Sequence, residues 1–427
     1  MKHIYMVGIG GIGMSALAQL YHARGISVSG SDREASPTID LLQEKGIGVF
    51  IGEDTSHVPE HVDMLVYSDA VLPEHSERVH VRERGVKEQS YFEALGEATH
   101  NRFTIAVAGS HGKTTTTAMI AKVLFDGELS PTAIVGSLVK DFDSNFLDGG
   151  SEGPFVVEAC EYRDHMLKLS PTILVITNLE WDHTDYFKTF EQLKKSFIQA
   201  VEKLPENGTL IIDTTTTIGK ELASHAPCTV VNYKELSSPE LRLLGEFNKD
   251  NARAAKAAVR AYAPDVSEET IDRALSDFHG SWRRFEYKGV APHGSDVYDD
   301  YAHHPTEIER TLEEVKKKFP DKYIVVAFHP HLYSRTRDFM DEFSHAFINA
   351  DEVLLIPIYP AREEPIEGVT SEVLAERIVS NGTKAYAVKD FNEAEKRFRE
   401  YDGVGTILIT MGAGDIYKVA DTVVQSA

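Results

Sequence analysis

The sequence predicts an α/β protein with three domains. Two glycine-rich loops, Gly8–Gly13 and Gly109–Gly112, each follow an apolar strand-like run and lead into a helical pattern. In the last third of the chain, apolar runs again alternate with helical patterns, which is typical of a doubly wound, mostly parallel sheet. We therefore expect a Rossmann-like domain over residues 1–100, a central phosphate-loop domain with a mostly parallel sheet over 101–281, and a second Rossmann-like domain over 282–427.

Composition narrows the class of partner. The 427 residues carry 44 Lys and Arg against 67 Asp and Glu, and the net charge of −23 disfavours a nucleic-acid or anionic-membrane surface. No apolar run approaches the roughly 18 residues of a membrane helix, and the first residues lead into a strand rather than a signal sequence. The two cysteines cannot form a disulfide framework. We expect a soluble cytoplasmic protein, monomer or homodimer.

The first glycine loop follows the strand-like run Ile4–Val7. Gly8, Gly10 and Gly13 fit the pattern G-x-G-x-x-G ahead of a helical stretch, and Asp32 closes the next strand at about the spacing of a ribose-binding carboxylate. Glycines at these positions allow a diphosphate to approach the backbone closely. The motif predicts a nucleotide diphosphate without saying which one, and a ligand-free glycine turn stays open as the alternative.

The second glycine loop begins where the buried strand pattern Thr104–Ala108 ends. Its residues Gly109-Ser-His-Gly112 are followed by Lys113 and a helical pattern. Backbone N–H groups at such a turn, together with the helix N-terminus, favour an anion. Because Val107 stands where the first glycine of the long G-x-x-x-x-G-K-[ST] form would be, the motif is incomplete. We expect nucleotide phosphates here, with a plain linking turn as the alternative.

Polar residues follow two further strands of the predicted central sheet. Glu158 ends one strand, and His183 comes shortly after another, Thr172–Asn178. Ligands of open parallel sheets bind outside the carboxyl ends of the strands, so Lys113, Thr114, Glu158 and His183 should share one edge. A hydroxyl, a carboxylate and an imidazole beside phosphates suit Mg²⁺. Ordinary polar strand caps are the alternative.

Three other stretches carry weaker predictions. The polar segment 141–153 is expected to be a loop, and Asn248 and Asn251 stand at a helix entrance, where an amide usually caps the helix or reads an adenine edge. Paired Arg283 and Arg284 lie at a predicted domain junction, where a solvated face is the alternative. Polar residues also follow the strands of the last third, and no three-ligand zinc spacing stands out among them. They include Tyr301, His303, His304, His329, His331, Arg335, Tyr359, Arg362 and Gly412–Asp415.

With these pieces in place, the chain resembles the Mur ligases over essentially its whole length. The resemblance implies three domains, one for a UDP-sugar, one for ATP and one for an incoming amino acid. It rests on seven motifs in the order typical of that family. They are Gly8–Ser15, Ala108–Thr117, Val157–Glu161, Thr177–His183, Arg283–Phe285, Asp299–Glu307 and Gly412–Asp415.

The resemblance implies an amide-forming reaction that needs no protein nucleophile. ATP would phosphorylate the carboxylate of UDP-N-acetylmuramate, and the amine of L-alanine would attack the acyl phosphate and release phosphate. Positioning and charge neutralisation would then dominate catalysis. Mg²⁺, or Mn²⁺ in its place, would accompany ATP. Domain closure is expected as well.

The resemblance also implies roles for individual residues. The catalytic set would be Lys113, Glu158, His183, Arg284 and His303. ATP would be bound by Gly109, Ser110, His111, Gly112, Lys113, Thr114, Thr115, Asn248, Asn251, Arg284 (on the γ-phosphate) and Asp300 (on the ribose). The metal ligands would be Thr114, Glu158 and His183. The UDP-sugar would be bound by Gly8, Gly10, Gly11, Ile12, Gly13, Ser15, Asp32 and Ser68, and the amino acid and acyl group by Tyr301, His303, His331 and Arg335.

Several positions depart from the family pattern, and three other functions compete with this one. The departures are Glu53, Ser110, Cys160, Tyr162-Arg163, Phe247 and Leu332. A ligase that joins a whole tripeptide to the same UDP-sugar is the nearest rival, but it generally has a longer insertion than the nine residues between Glu161 and Pro171. A nicotinamide-dependent dehydrogenase would leave Lys113 without a role. A non-catalytic UDP-sugar sensor is disfavoured by the intact Lys113, Glu158 and His183.

Overall fold

The computed structural model describes residues 2–361 and 363–425 and confirms an α/β protein with three mostly parallel sheets. Arg362, one of the predicted strand-end residues, lies outside the described residues. Within the described ranges, no helix is long and apolar enough to cross a membrane. The chain forms two compact units. The first comprises Met1–Leu179, Leu193–Arg242 and Lys249–His279, and the second comprises Glu180–Gln192, Leu243–Asn248 and Gly280–Ala427.

The N-terminal sheet has five parallel strands, as expected for a Rossmann-like domain. The strands are β1 (His3–Val7), β2 (Ser27–Asp32), β3 (Gly48–Ile51), β4 (Met64–Tyr67) and β5 (Lys87–Ser90). Helices α1 (Ile12–Ala23), α2 (Pro37–Glu44), α3 (Ser76–Glu83) and α4 (Tyr91–Thr99) connect them. The strand order is β3-β2-β1-β4-β5, so the first glycine loop follows the central strand.

The central sheet has seven strands. They are β6 (Thr104–Ala108), β7 (Thr132–Val139), β8 (Ser144–Leu147), β9 (Phe155–Glu158), β10 (Ile173–Ile176), β11 (Thr209–Ile212) and β12 (Thr229–Asn232). The helices of this part are α5 (Lys113–Asp126), α6 (Phe190–Glu202), α7 (Thr217–Ser224), α8 (Glu246–Tyr262) and α9 (Glu268–Asp277). The order is β12-β11-β10-β6-β9-β7-β8, and only β8 runs antiparallel to its neighbour. Strands β10, β6 and β9 are therefore adjacent, as predicted.

The prediction of a loop over 141–153 was wrong, because β8 lies within it. The polar residues of β8, Ser144 and Asn145, are buried rather than solvated. Asn145 is fully buried, and its side-chain amide donates to the Ile12 carbonyl (2.5 Å) and the Ser15 hydroxyl (2.8 Å) and accepts from Gln19 (2.9 Å). Asn145 is thus buried through hydrogen bonds to α1, and β8 lacks the apolar residue at this position that would have indicated a strand in the sequence.

The prediction that Asn248 or Asn251 caps a helix was also wrong. Helix α8 already begins at Glu246, so both asparagines lie inside it. The Asn248 side-chain N–H groups donate to the Leu244 carbonyl at 2.6 Å, one turn back. An asparagine inside the first turns of a helix can serve the backbone from there, which the sequence pattern does not distinguish from a cap.

The C-terminal sheet has six strands. They are β13 (Glu286–Val290), β14 (Asp296–Asp300), β15 (Tyr323–Phe328), β16 (Glu352–Leu355), β17 (Lys384–Ala387) and β18 (Thr406–Met411). The helices are α10 (Pro305–Lys318), α11 (Tyr333–Asp338), α12 (Met340–Ala346), α13 (Ser371–Ser380), α14 (Phe391–Tyr401) and α15 (Tyr417–Gln425). The order is β13-β14-β18-β15-β16-β17, with only β13 antiparallel. Three short 3-10 helices elsewhere span Thr55–His57, Tyr162–Lys168 and Tyr233–Glu235.

Helices cover both faces of the C-terminal sheet. One core packs α10, α12 and α13 against one face, and another packs α14 and α15 against the other. The helix after β14 and those after β15 lie on the first face, whereas the helix after β18 lies on the second. The chain therefore leaves β18 and its two neighbours in opposite directions, which opens a crevice at their carboxyl ends. The predicted strand-end histidines belong to this edge.

Candidate active site

The phosphate loop connects β6 to α5 and requires glycine at two positions. Gly109 (φ 129°) and Gly112 (φ 84°) have left-handed backbone conformations. A Cβ at Gly109 would lie 2.2 Å from the Thr177 hydroxyl, and one at Gly112 would lie 2.4 Å from the Asn251 side-chain oxygen. The loop is thus glycine-rich because neighbouring side chains press against its backbone.

Lys113 is the first residue of α5 and is held as a cation. Its ammonium group donates to the carbonyls of Gly109 (2.5 Å) and Ser110 (3.1 Å) and to the Glu161 carboxylate (3.0 Å). Burial by itself would lower the pKa of Lys113, but the carboxylate of Glu161 outweighs it and the pKa is raised. A charged ammonium at the start of a helix is suited to nucleotide phosphates.

Thr114 and Glu158 form a pair of oxygen ligands beside this lysine. The Thr114 hydroxyl donates to one Glu158 oxygen at 3.2 Å, and the Gly136 N–H donates to the other at 2.5 Å. A hydroxyl and a carboxylate in contact offer the oxygen ligands that Mg²⁺ takes in nucleotide sites, where water and phosphates complete the shell. The chemistry of these two residues therefore fits Mg²⁺.

Two residues that the sequence analysis gave no role fix the loop from β10. The Asn178 side chain accepts from the His111 N–H (2.9 Å) and donates to the His111 carbonyl (2.9 Å), and the Thr177 hydroxyl donates to the same carbonyl (2.6 Å). Their position directly after a buried strand was the available signal. The two residues that follow β10 therefore hold the backbone of the loop by hydrogen bonds, and the loop keeps its conformation without a ligand.

The first glycine loop is held by β2. The N–H groups of Gly8 and Ile9 donate to the Ser31 carbonyl (2.8 and 3.1 Å), and the Gly10 N–H donates to the Asp32 carboxylate (2.8 Å). Asp32 thus orders the loop itself, and its binding of a ribose stays a prediction. The Ser15 hydroxyl donates to the Ile12 carbonyl at 3.0 Å.

Ser68 lies at the same edge of the N-terminal sheet. Its N–H donates to the Val7 carbonyl at 3.0 Å, and a Cβ at Gly8 would lie 2.9 Å from its own Cβ. The first unit therefore brings the predicted UDP-sugar residues together around the start of α1. Lys113, Thr114 and Glu158 form a second group at the central sheet, with Asn251 against the loop.

In the second unit, Arg283 is a buried clamp. Its guanidinium donates to the Asp299 carboxylate (2.8 Å) and to the carbonyls of Gly414 (2.7 Å) and Gly412 (2.6 Å). Arg283 (φ 60°) and Phe285 (φ 45°) both have left-handed backbone conformations, which side chains other than glycine rarely adopt. The clamp maintains this strained turn and so fixes the position of Arg284, which lies over the Tyr301 ring at 5.2 Å.

Asp300 braces the same turn. Its carboxylate accepts from the N–H groups of Ala302 (2.7 Å) and Phe285 (3.0 Å). Burial raises the pKa of Asp300 to about 7, and the hydrogen bond from Ala302 only partly opposes this. Both carboxylate oxygens thus already accept a backbone N–H. The binding of the ATP ribose by Asp300 stays a prediction.

The strand-end residues of the second unit converge as the sequence predicted. The rings of Tyr301 and His303 are 5.3 Å apart, those of His303 and His331 are 6.3 Å apart, and His331 is 3.3 Å from the Arg335 guanidinium. Burial, aided by the positive charge of Arg335, lowers the pKa of His303 to about 4. The His303 Nδ1 lies 3.0 Å from the Tyr301 carbonyl and so carries the proton, which leaves Nε2 as an acceptor.

Asp182 is a functional candidate that the sequence analysis passed over. Its carboxylate accepts from Arg335 at 2.8 and 3.2 Å, and both side chains are buried. Burial alone would raise the pKa of Asp182, but Arg335 holds it well below the usual range. His183 follows it with a left-handed backbone (φ 52°), and its N–H donates to Asp182 at 2.6 Å. The available signal was its place among the acidic residues Glu180, Asp182 and Asp185 around His183, a predicted ligand.

The chain is similar to known proteins over nearly its whole length. Models of the Mur ligase family match residues 3–103 (catalytic domain), 107–241 (middle domain) and 283–414 (glutamate ligase domain). The UDP-N-acetylmuramate–L-alanine ligases of Lachnoclostridium phytofermentans and Lachnospira eligens are 34% and 37% identical to the chain, each covering 99% of it and 98% of their own length.

Solved structures share the fold. The UDP-N-acetylmuramate–alanine ligase of Thermotoga maritima covers 100% of this chain and 99% of its own, with 27% identity and a TM-score of 0.83. A murein peptide ligase of Psychrobacter arcticus covers 100% and 98%, with 24% identity and a TM-score of 0.76. The chain carries a phosphate loop with its lysine and carboxylates, and in the sequence this loop lies between two Rossmann-like sheets. The chain is similar to these relatives over nearly its whole length and is therefore a member of the Mur ligase family.

Proposed function

We propose that this protein joins L-alanine to UDP-N-acetylmuramate at the expense of ATP, a step in making peptidoglycan precursors. The observation that carries the proposal is the loop in which Lys113 is held as a cation beside the Thr114–Glu158 pair. Support comes from relatives of the same name that match the chain over nearly its full length. We expect the reaction to take place in the cytoplasm.

The phosphate loop would act on ATP by neutralising charge. The γ-phosphoryl group would pass to the substrate carboxylate, ADP would leave, and an acyl phosphate would remain. Lys113 would hold the β- and γ-phosphates, and the backbone of Gly109–Gly112 would cradle them. Thr114 and Glu158 would hold Mg²⁺, which neutralises phosphate charge when bound. The other metal and ATP contacts, those of His183, Arg284, Asp300, Asn248 and Asn251, stay predictions.

The strand-end residues of the second unit would serve the second step. The amine of L-alanine would attack the acyl carbon, the carbon–oxygen bond to phosphate would break, and the amine would lose a proton. A neutral His303 with its Nε2 free to accept can orient that amine, and Arg335, fixed by Asp182, can face a carboxylate. Tyr301 and His331 complete this predicted amino-acid site.

An assay of phosphate release tests the proposal directly. The protein would be mixed with ATP, Mg²⁺ and UDP-N-acetylmuramate, and each of L-alanine, L-serine, glycine and the tripeptide L-Ala-γ-D-Glu-meso-diaminopimelate would be added in turn. We expect release with L-alanine and less with the other amino acids. Release with the tripeptide alone would favour the recycling ligase. No release with any acceptor, but binding of the UDP-sugar, would favour a sensor, and binding of NAD without ATP would favour a dehydrogenase.

A further inference from the structure

Tyr91 is a rigidly placed side chain that the mechanism above does not use. It opens α4 directly after Ser90, whose hydroxyl accepts from the Glu93 N–H (3.3 Å) while the Glu93 carboxylate accepts from the Ser90 N–H (2.9 Å). This reciprocal capping fixes the backbone from which the phenol projects. The Tyr91 ring also packs edge-on against the Phe92 ring, with a centroid distance of 4.7 Å.

The phenol of Tyr91 lies against the first glycine loop. A Cβ at Gly13 would lie 2.6 Å from the Tyr91 Cζ and 2.7 Å from its hydroxyl oxygen. Gly13 has an ordinary helical position in α1, so its lack of a side chain is explained by this contact rather than by backbone conformation. The third glycine of the motif therefore makes room for the phenol of Tyr91.

The Tyr91 hydroxyl is an available donor. Burial raises its pKa, and the nearby carboxylate of Glu158 raises it further, so the hydroxyl keeps its proton at neutral pH. Across residues 2–361 and 363–425, that hydroxyl has no hydrogen bond to the protein. A donor without a protein partner, at the N-terminus of a helix behind a glycine loop, is suited to a phosphate oxygen.

The position of Tyr91 indicates which part of the substrate it would contact. It touches the loop expected to bind the diphosphate. It also lies near enough to Glu158, which belongs to the phosphoryl-transfer group, for that carboxylate to raise the pKa of Tyr91. In a UDP-sugar with a reacting carboxylate, the sugar lies between the diphosphate and the carboxylate. The sugar-linked phosphate is the half of the diphosphate nearer the carboxylate, and a hydroxyl between the two groups is placed to meet it.

We propose that Tyr91 is a substrate-binding residue whose hydroxyl donates a hydrogen bond to the sugar-linked phosphate of the UDP-sugar. This inference rests on the proposed function, because it takes the UDP-sugar as the ligand of the first glycine loop. It adds a side chain from α4 to a site otherwise built from β1, α1 and β2.

The test uses the full-length variant Tyr91→Phe, which removes one oxygen and keeps the ring. Calorimetry without ATP would measure the Kd of UDP-N-acetylmuramate, of UDP-N-acetylglucosamine, which lacks the carboxylate, and of UMP, which lacks the sugar-linked phosphate. We expect both UDP-sugars to bind roughly tenfold more weakly and UMP to bind as before, since a hydrogen bond to a charged group is lost. The KM for ATP should stay within about twofold, in line with unchanged nucleotide contacts.

Two further variants keep the outcome interpretable. Tyr262→Phe removes a hydroxyl from a tyrosine that packs on Phe103 at 4.9 Å and should leave every affinity unchanged. Gly13→Ala, in which the added methyl must displace the phenol, should weaken both UDP-sugars and leave UMP binding unchanged. Loss of UMP binding as well would show damage to the loop itself and would not support a role for Tyr91.

Unchanged UDP-sugar affinities in Tyr91→Phe would overturn the inference while the wild-type assay still supported the proposed function. Weakening of UDP-N-acetylmuramate alone would also overturn it, since the hydroxyl would then serve the carboxylate. If the wild-type protein binds neither UDP-sugar, the proposed function itself fails.

Discussion

The phosphate loop of the first unit and the strand-end cluster of the second both lie at the carboxyl ends of parallel strands. The basic side chain of the first is charged, whereas the imidazoles of the second are neutral. Around Lys113, two carbonyls and Glu161 keep the ammonium charged despite burial. Around His303 and His329, burial lowers both pKa values to about 4 and keeps the imidazoles neutral. Burial thus disfavours the charged form in both clusters, and beside Lys113 the carboxylate of Glu161 outweighs it.

The two charge states suit two kinds of ligand. A loop that keeps a cation is suited to the phosphates of ATP, whose negative charge must be neutralised as the phosphoryl group moves. A site with neutral imidazoles is suited to an amine that must itself lose a proton before it attacks. In the second cluster, the charged pairs Asp182–Arg335 and Arg283–Asp299 are buried and hydrogen-bonded. These pairs order the structure beside the neutral imidazoles.

The largest effect is expected when a structural pair of the second cluster is broken. Arg283→Ala would leave the Asp299 carboxylate buried without its partner and release the Gly412 and Gly414 carbonyls, at a cost of about 3–5 kcal/mol. Native-state hydrogen exchange of β14 and β18 would measure this loss of local stability. The double variant Arg283→Met/Asp299→Leu should recover most of it. A loss below about 1 kcal/mol would show that Arg283 does not clamp the turn.

Removing the cation of the phosphate loop should affect catalysis rather than stability. We expect Lys113→Ala to lower turnover at least 10²-fold, about 2.7 kcal/mol of transition-state stabilisation, because the phosphates lose their neutralising ammonium. Phosphate release with saturating substrates would measure it. Lys122→Ala is the matched control, since it removes a lysine of the same helix that pairs with Asp126. Near-normal turnover in Lys113→Ala would contradict the assignment of the loop.

The neutral state of the second cluster can be tested through His329. Its Nδ1 is buried, without a hydrogen-bond partner among the described residues, and lies 2.8 Å from where a Cβ on Gly414 would be. Burial, aided by Arg283 and opposed by Asp415, lowers its pKa to about 4. Unfolding exposes an imidazole with a pKa near 6.5, so the unfolded chain binds more protons and stability falls as pH drops from about 6.5 to 4.

His329→Gln should therefore flatten part of the acid-side loss of stability. At pH 5 the neutral imidazole costs about 2 kcal/mol relative to an ordinary histidine, and the variant removes that cost. Thermal unfolding of both proteins between pH 7.5 and 5 would measure the change. The slope should not vanish, because His303 contributes a loss of the same sign. Identical slopes in the two proteins would indicate that His329 is protonated in the folded state.

Much of the fold could be predicted because apolar runs and glycine loops are local signals. The strands around Lys113 and the helix that follows it are confirmed, as is the adjacency of β10, β6 and β9. The failures share one physical cause. Strand β8 and the entry to α8 are stabilised by side-chain hydrogen bonds of Asn145 and Asn248, and polar residues satisfied by distant partners look like loop or cap residues in a sequence.

The site was predictable to the extent that residue type sets chemistry. The sequence named Lys113, Glu158, His303 and Arg335 as candidates, but it did not show that Glu161 contacts Lys113 or that Asp182 contacts Arg335. These partners are ordinary acidic residues in sequence, and only their contacts distinguish them. Likewise, the sequence around Arg283 and Arg284 does not indicate which of the two arginines is buried. The roles of the predicted ligands toward ATP, metal and UDP-sugar stay predictions.

The smallest effect at neutral pH, and the most direct test of the charge difference, is expected from Glu161→Gln. Glutamine can still accept from Lys113, but the carboxylate that raises the lysine's pKa is gone and burial, which lowers it, remains. Turnover near pH 7 should stay within a few-fold of the wild type, because the ammonium is still protonated there. At alkaline pH the variant should lose activity earlier, since its lysine gives up the proton at lower pH.

A pH profile of kcat/KM for ATP between pH 7 and 10.5 would measure this shift of the alkaline limb. Asp126→Asn is the control, because it removes a carboxylate paired with Lys122 on the same helix and should leave the profile in place. An unshifted limb in Glu161→Gln would mean that the loop keeps its lysine charged without a carboxylate. The backbone carbonyls of Gly109 and Ser110 would then be sufficient to hold the charge against burial, and the contrast between the two clusters would lie in these carbonyls.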